Sequence, residues 1–207
     1  MKSKDAILAR IQKAQSEKKF EDLDTSWSTD EVFRPVSDLI ATFVTEAEEV
    51  SASVILCESQ ATLYNSLSNL IAQRQWKYVC CTDRKLVPSL LECGIELTDL
   101  QHFENVEAGI TRCEYLVART GSVVVSSNTS EGRKMHVYPP VHIVVADESQ
   151  LVSHLEDALN QLQEKYKSDF PSAITVITGP SRTADIEKTL VMGAHGPKEL
   201  IIFVQCR

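Results

Sequence analysis

Apolar residues recur along this chain with two spacings that take turns. Ser53 to Cys57 and Lys77 to Thr82 are short apolar or β-branched runs, and Leu200 to Val204 is apolar throughout, the pattern of a strand buried on both faces of a parallel sheet. Between such runs the spacing changes to three and four. Leu39, Ile40, Phe43, Val44 and Ala47 mark a helix over 38–50, and Leu63, Leu67, Leu70 and Ile71 mark another over 61–73. A short helix over 86–93 is stopped by Gly94, and Leu151, Leu155, Ala158, Leu162 and Tyr166 stack along a helix over 149–166. Ser122 to Ser127, Val141 to Ala146 and Ala173 to Ile177 read as three further strands. Strands alternating with helices predict an α/β fold of three layers, a largely parallel sheet with helices on both faces. The loop between Ser127 and Val141, closed by Pro139-Pro140, predicts that its two flanking strands form a hairpin or a local excursion. Ahead of all this, 3–19 places Ile7, Leu8, Ile11 and Ala14 on a narrow face of a charged helix, and 20–35 is acidic and aperiodic around Trp27, Phe33 and Pro35. The expected division is therefore an N-terminal helix and arm, 1–35, and a single α/β domain, 36–207.

The closing stretch carries the most chemistry. The strand Ala173–Ile177 must end at Thr178-Gly179-Pro180, and from Thr183 onward Ile186, Leu190 and Val191 fall on one side of a helix that Gly193 ends. Ser181 or Thr183 suits the helix cap, and Asp185 and Glu187 put negative charge in its first turns, where the helix dipole favours it. In a strand–helix–strand unit the turn after the first strand lies at the carboxyl edge of the sheet, where open α/β folds bind ligands. Gly179, the hydroxyls of Ser181 and Thr183, and the Arg182 guanidinium suit a phosphate or carboxylate there. Pro180 contributes no donor, so this is not a Walker loop. The alternative is a structural turn in which the hydroxyls cap the helix and Arg182 pairs with Asp185 or Glu187.

A second group extends the candidate edge: Thr120 and Gly121 before a strand, and Gly132 and Arg133 in the loop that follows it. The glycines are candidate points of close backbone approach to a ligand, and Arg133 a second cation; turn-forming glycines and a solvated arginine are the other reading. His195, in Gly193-Ala-His-Gly-Pro197, has an unusual loop that serves either chemistry or a structural hydrogen bond. His142, between apolar strand neighbours, reads as a buried, hydrogen-bonded histidine, and His154 as exposed.

Charge narrows the partners. The chain has 207 residues with a formal net charge of −8 and a pI near 5.2, and no basic stripe, which argues against nucleic acid and anionic membranes. Its start lacks the apolar core of a signal peptide and no run is long enough to span a bilayer, so a cytoplasmic location is expected. The six cysteines form no Cys-x-x-Cys pair, and Cys80 and Cys81, adjacent on a strand, point to opposite faces; buried reduced thiols and no metal site are expected. Asn128-Thr-Ser130 is a glycosylation sequon without consequence in a chain that is not exported. Gly179-Pro-Ser181-Arg-Thr183 falls short of a nucleophile elbow, because Thr183 replaces the second glycine.

At these residues the chain resembles a known family. Arg119-Thr-Gly-Ser-Val-Val-Val, Glu131-Gly-Arg, Pro139-Pro-Val-His-Ile-Val-Val, Ile177-Thr-Gly-Pro-Ser-Arg-Thr-Ala-Asp-Ile-Glu and Gly193-Ala-His-Gly-Pro look like LUD-domain proteins of the LutC/YkgG type, in order and in spacing. The resemblance runs over roughly 105–205. It departs at Lys134-Met-His-Val-Tyr138, where family members often have a Leu-rich stretch. It implies a fold like that of the NagB/RpiA/CoA-transferase group. It also implies a non-redox subunit of an oxidoreductase complex that converts L-lactate to pyruvate, with two partner proteins, at least one carrying iron–sulfur clusters. This chain would then bind no cofactor of its own. By motif, the resemblance nominates Thr120, Gly121, Gly132, Arg133, Gly179, Ser181, Arg182, Thr183, Asp185 and His195 as an anion-binding site. The alternative in this fold group is a free-standing sugar-phosphate or acyl-CoA enzyme using Asp185 or Glu187 as base.

Overall fold

The computed structural model describes residues 3–17, 36–99, 104–128, 134–183, 191–193 and 195–206. The chain divides into two compact units, 1–34 and 35–207. The first contains helix α1 (Ser3–Glu17). In the second, α2 (Leu39–Glu49) starts where the Asp38 carboxylate accepts the Ala41 N–H at 3.0 Å. Strand β1 (Ser53–Cys57) leads into α3 (Gln60–Arg74), capped by Ser59, whose Oγ accepts the Thr62 N–H at 3.1 Å. Next come β2 (Val79–Cys81), α4 (Val87–Glu92) and β3 (Ala108–Arg112). Then follow β4 (Tyr115–Val117), β5 (Ser122–Ser126), β6 (Val141–Asp147), β7 (Leu151–Val152) and α5 (Leu155–Tyr166). The chain closes with β8 (Ile174–Ile177), β9 (Arg182–Thr183), β10 (Val191–Met192) and β11 (Glu199–Gln205).

Five strands form the central sheet in the order β1-β11-β6-β3-β2, all parallel. β11 alternates faces residue by residue. Ile201 and Phe203 join Leu63, Leu67 and Leu90 of α3 and α4 in one core cluster. Leu200, Ile202 and Val204 join Phe43 and Ala47 of α2 in another. Helices thus cover both faces of a parallel sheet, as the spacing of apolar residues predicts, and the apolar run at Leu200–Val204 is fully interior.

The structure corrects the expected use of two strands, the start of one helix and the exposure of one histidine. β5 and β6 do not pair; β5 lies in a second sheet, β7-β4-β5-β8, whose inner face closes the α2 side of the core. β8 is antiparallel to β5 in that sheet, so it is not the first strand of a parallel strand–helix–strand unit with β11. The helix expected over 149–166 starts only at Leu155. Gln150 ties the segment before it to the sheet, donating to the carbonyls of Cys113 and Glu114, and Leu151–Val152 pairs with β4. There the Asp157 carboxylate accepts the His154 N–H at 2.9 Å, fixing the helix start and leaving His154 buried rather than exposed. The helix expected from Thr183 falls mainly on 184–190, outside the described residues; at its flanks Arg182–Thr183 pairs antiparallel with Val191–Met192.

α5 covers the outer face of the second sheet, where Ala158 and Leu162 pack on Val117, Val124 and Val152. Beneath it Glu114, 2% exposed, accepts hydrogen bonds from Ser126, Lys165 and Tyr166. Burial alone would raise its pKa, but these three donors and the Lys165 charge outweigh it and hold the carboxyl below its usual range. All six cysteines are free, and burial pushes the Cys81 and Cys113 thiols up to about 12. These two thiols are inert at neutral pH. Among the described residues no helix is long and apolar enough to cross a membrane.

Candidate functional site

The turn Gly179–Ser181 follows β8 out of the second sheet and crosses the starts of the parallel strands. The Ser181 N–H donates to the Pro197 carbonyl at 2.8 Å, the Gly193 N–H to the Ser181 carbonyl at 2.8 Å, and Arg182 Nη2 to the Val50 carbonyl. Val50 and Pro197 stand just before β1 and β11, so this turn lies at the amino edge of the parallel sheet. The expectation of a carboxyl-edge turn is overturned, because β8 runs in the other sheet.

A cleft of about 410 Å³ opens here, lined by Gly179, Ser181, Arg182 and His195 together with Thr178 and His136. Four of the nominated residues therefore meet. Local backbone geometry explains why. Gly179 has φ +74°, and a Cβ on it would lie 2.2 Å from the Val50 carbonyl oxygen. Gly196 packs against Ser181, where a Cβ would approach Ser181 Cβ to 3.1 Å. The glycines thus let three backbone segments converge, and the convergence is what sets His195 beside Ser181 and Arg182.

Of the other nominated residues, the structure describes Thr120, Gly121 and Thr183. Thr120 reaches the cleft through a hydroxyl chain: its Oγ1 is 2.7 Å from Ser122 Oγ, which is 2.8 Å from Thr178 Oγ1. Gly121, at φ +58°, makes a close approach to α2, since a Cβ would lie 2.2 Å from the Ala47 nitrogen. Thr183 is placed only as backbone in β9. Gly132, Arg133 and Asp185 lie outside the described residues.

His136 is a wall residue that no sequence spacing marks, because it comes from the segment before Pro139-Pro140 rather than from a periodic element. Behind it lies His142, completely buried, whose Nε2 is 2.8 Å from Thr111 Oγ1, in accord with its reading as a hydrogen-bonded core histidine. Burial, and secondly the neighbouring His136, lower the His142 pKa to about 3; burial also lowers that of His136. Both rings are neutral at pH 7, so the His136 wall offers a neutral hydrogen-bonding edge. Arg182 is the charged lining side chain, and no carboxylate or thiol lines the cleft among the described residues. Such a surface holds a small anion through the guanidinium and hydroxyl donors and offers imidazole as its proton carrier.

Comparison with known proteins finds relatives in sequence and in fold. An uncharacterized protein of Neisseria meningitidis serogroup B is 33% identical over 120 residues, covering 58% of this chain and 51% of its own length. Lactate utilization protein C of Halalkalibacterium halodurans is 38% identical over 96 residues, covering 45% and 42%. That of Bacillus licheniformis is 35% identical over 112 residues, covering 53% and 47%. The matched stretch spans about half the length of these curated relatives. The crystal structure of a DUF162 family protein from Deinococcus radiodurans shares the fold, with a TM-score of 0.62 at 17% identity over 83% of this chain and 99% of that one. The LUD domain family model matches residues 96–204, which include β3, both sheets' central strands and every nominated residue. The chain belongs to the LUD domain family.

Proposed function

We propose that this chain acts in lactate utilization, as a non-redox subunit of an L-lactate-oxidising assembly whose electrons pass through iron–sulfur partner proteins. The observation that carries the reading is the convergence of Gly179, Ser181, Arg182 and His195 in one cleft, within the residues that the LUD domain family model matches. In this reading Arg182 holds the carboxylate of lactate or pyruvate, Ser181 and the Thr120–Ser122–Thr178 hydroxyl chain orient it, and His195 or His136 carries a proton. The alternative, a free-standing sugar-phosphate or acyl-CoA enzyme, would use Asp185 or Glu187 as base, and both lie outside the described residues.

Affinity capture of the full chain from native cytosol, followed by an assay of L-lactate-dependent dye reduction, tests this. Iron–sulfur proteins are expected to co-purify. Activity is expected to fall when this chain is omitted and to return with the wild type but not with Arg182→Ala, whose folding stability should change by less than about 1 kcal/mol. Dye reduction that is indifferent to this chain would overturn the subunit reading.

A further inference from the structure

The His136 wall of the cleft is backed by polar side chains of the central sheet. Gly109 of β3 and His142 of β6 are paired positions, and Thr111 lies two residues on from Gly109, on the same face. Gly109 is where the wall is anchored. A Cβ there would lie 2.7 Å from Pro139 Cγ and 2.8 Å from the Met135 carbonyl oxygen, so glycine is what lets the turn 134–138 lie against the strand. The Val137 and Tyr138 N–H groups close that turn by donating to the Lys134 carbonyl at 3.1 and 2.9 Å, and Met135 plugs it into a cluster with Cys80 and Val106. His136 follows Met135 and is thereby held at the cleft wall, 6% exposed.

The nitrogens of the two rings are unequally served. His142 Nε2 is 2.8 Å from Thr111 Oγ1, but its Nδ1 is buried with no hydrogen-bond partner among the described residues. His136 Nδ1 is buried and unpartnered in the same way, which leaves Nε2 as the nitrogen that the cleft can reach. Burying one polar atom unpaired is unfavourable, and two of them on neighbouring rings point to a shared partner. The ring centroids are 6.3 Å apart, too far for a direct hydrogen bond of about 2.9 Å between ring nitrogens and near enough for one water between them. Burial lowers the pKa of both rings, so each is a neutral imidazole with its proton on one nitrogen.

We propose that Thr111, His142, one buried water and His136 form a hydrogen-bond chain that ends at the cleft, and that its two directions let His136 Nε2 receive either a carbonyl or a hydroxyl. In one direction the Thr111 hydroxyl donates to His142 Nε2, His142 Nδ1–H to the water, the water to His136 Nδ1, and His136 Nε2–H to a carbonyl oxygen in the cleft. In the other, every bond is reversed and His136 Nε2 accepts from a hydroxyl. Neither direction creates a charge, which so buried a site would penalise. The occupants that suit it are a 2-hydroxy acid and the 2-oxo acid of the same carbon chain, each with its carboxylate on Arg182. The inference rests on the lactate reading of the cleft and adds the residues that treat the two acids alike. His136 touches the ligand; His142 and Thr111 are positioning residues.

Nitrogen NMR of labelled histidine rings in the isolated full chain reads the direction, because protonated and bare ring nitrogens have well-separated shifts. The probes are pyruvate and L-lactate, and the His136→Phe spectrum assigns the His136 signals. Saturable binding of both acids is expected, with the His136 proton on Nε2 under pyruvate and on Nδ1 under L-lactate. Thr111→Val keeps the side-chain shape and removes the far end of the chain. It should favour pyruvate over L-lactate by roughly three- to tenfold, since a bare ring nitrogen is more easily left unpaired than an N–H. The same His136 tautomer with both acids, or an affinity ratio that Thr111→Val leaves in place, would overturn the chain and leave the cleft reading intact. Acids that fail to bind, or that bind equally well to Arg182→Ala, would remove the cleft reading and the chain's role with it.

Discussion

Glu114 shows how much one side chain can hold. Its two oxygens collect Ser126 from β5 and Lys165 and Tyr166 from the last turn of α5, so a single carboxylate fastens the outer helix to the second sheet. Glu114→Ala removes the acceptor from three donors, one of them charged, and should destabilise the fold by about 3 kcal/mol, read as a lowered urea midpoint at pH 7. Lys165→Ala takes the cation from a buried carboxylate that keeps Ser126 and Tyr166 as donors, and should cost less than Glu114→Ala but more than about 1 kcal/mol on the same measurement. No periodicity announces Glu114, since its partners lie 12, 51 and 52 residues away. Ser181, Arg182 and His195 differ in this respect. Glycines and prolines on either side of them mark irregular backbone, and irregular backbone with polar side chains is a visible signal of a site.

At the scale of elements, two glycines allow close backbone packing. Gly121 and Gly179 both have positive φ; the first presses on α2 at Ala47 and the second on Val50, which caps its end. Either Gly→Ala change meets backbone that cannot rotate aside. We expect Gly121→Ala and Gly179→Ala each to cost about 2 kcal/mol or more, seen as a drop in melting temperature. Because α2 and the Gly179 turn meet through Val50, Gly179→Ala should also weaken anion binding in the cleft, whereas Gly121→Ala should act on stability alone. β8 is the instructive miss among the elements. Its β-branched residues make it a strand in any context, but pairing is chosen by partners distant in sequence, and β5 is the partner it finds.

For the whole molecule, acid is the informative perturbation. His142 and His136 have folded-state pKa values lowered by burial, to about 3 for His142, against about 6.5 in an unfolded chain. The unfolded state therefore binds more protons as pH falls through 6.5, and stability declines from there downward. The slope is up to about 1.4 kcal/mol per pH unit for each histidine. Glu114, with a lowered pKa, adds a further loss as pH drops below about 4.3. Chemical denaturation at pH 7, 6 and 5 should show the midpoint falling stepwise, and His142→Gln should flatten that dependence. An unchanged midpoint between pH 7 and 5 would mean the two imidazoles are solvated in solution.

The order of strands and helices, the parallel character of the central sheet and the interior position of Leu200–Val204 follow from the sequence alone, because apolar spacing is a local property and burial on two faces leaves a continuous apolar run. The motif around Gly179, Arg182 and His195 was likewise legible, through glycines and prolines that forbid regular structure. Which edge of the sheet receives that motif was decided only in three dimensions. It depends on β8 pairing with β5 instead of β11, a choice between partners that local pattern does not encode. The same holds for the wall supplied by His136 and for the contact of His142 with Thr111. Those two residues are 31 apart in the chain and meet only because β3 and β6 lie side by side in the sheet.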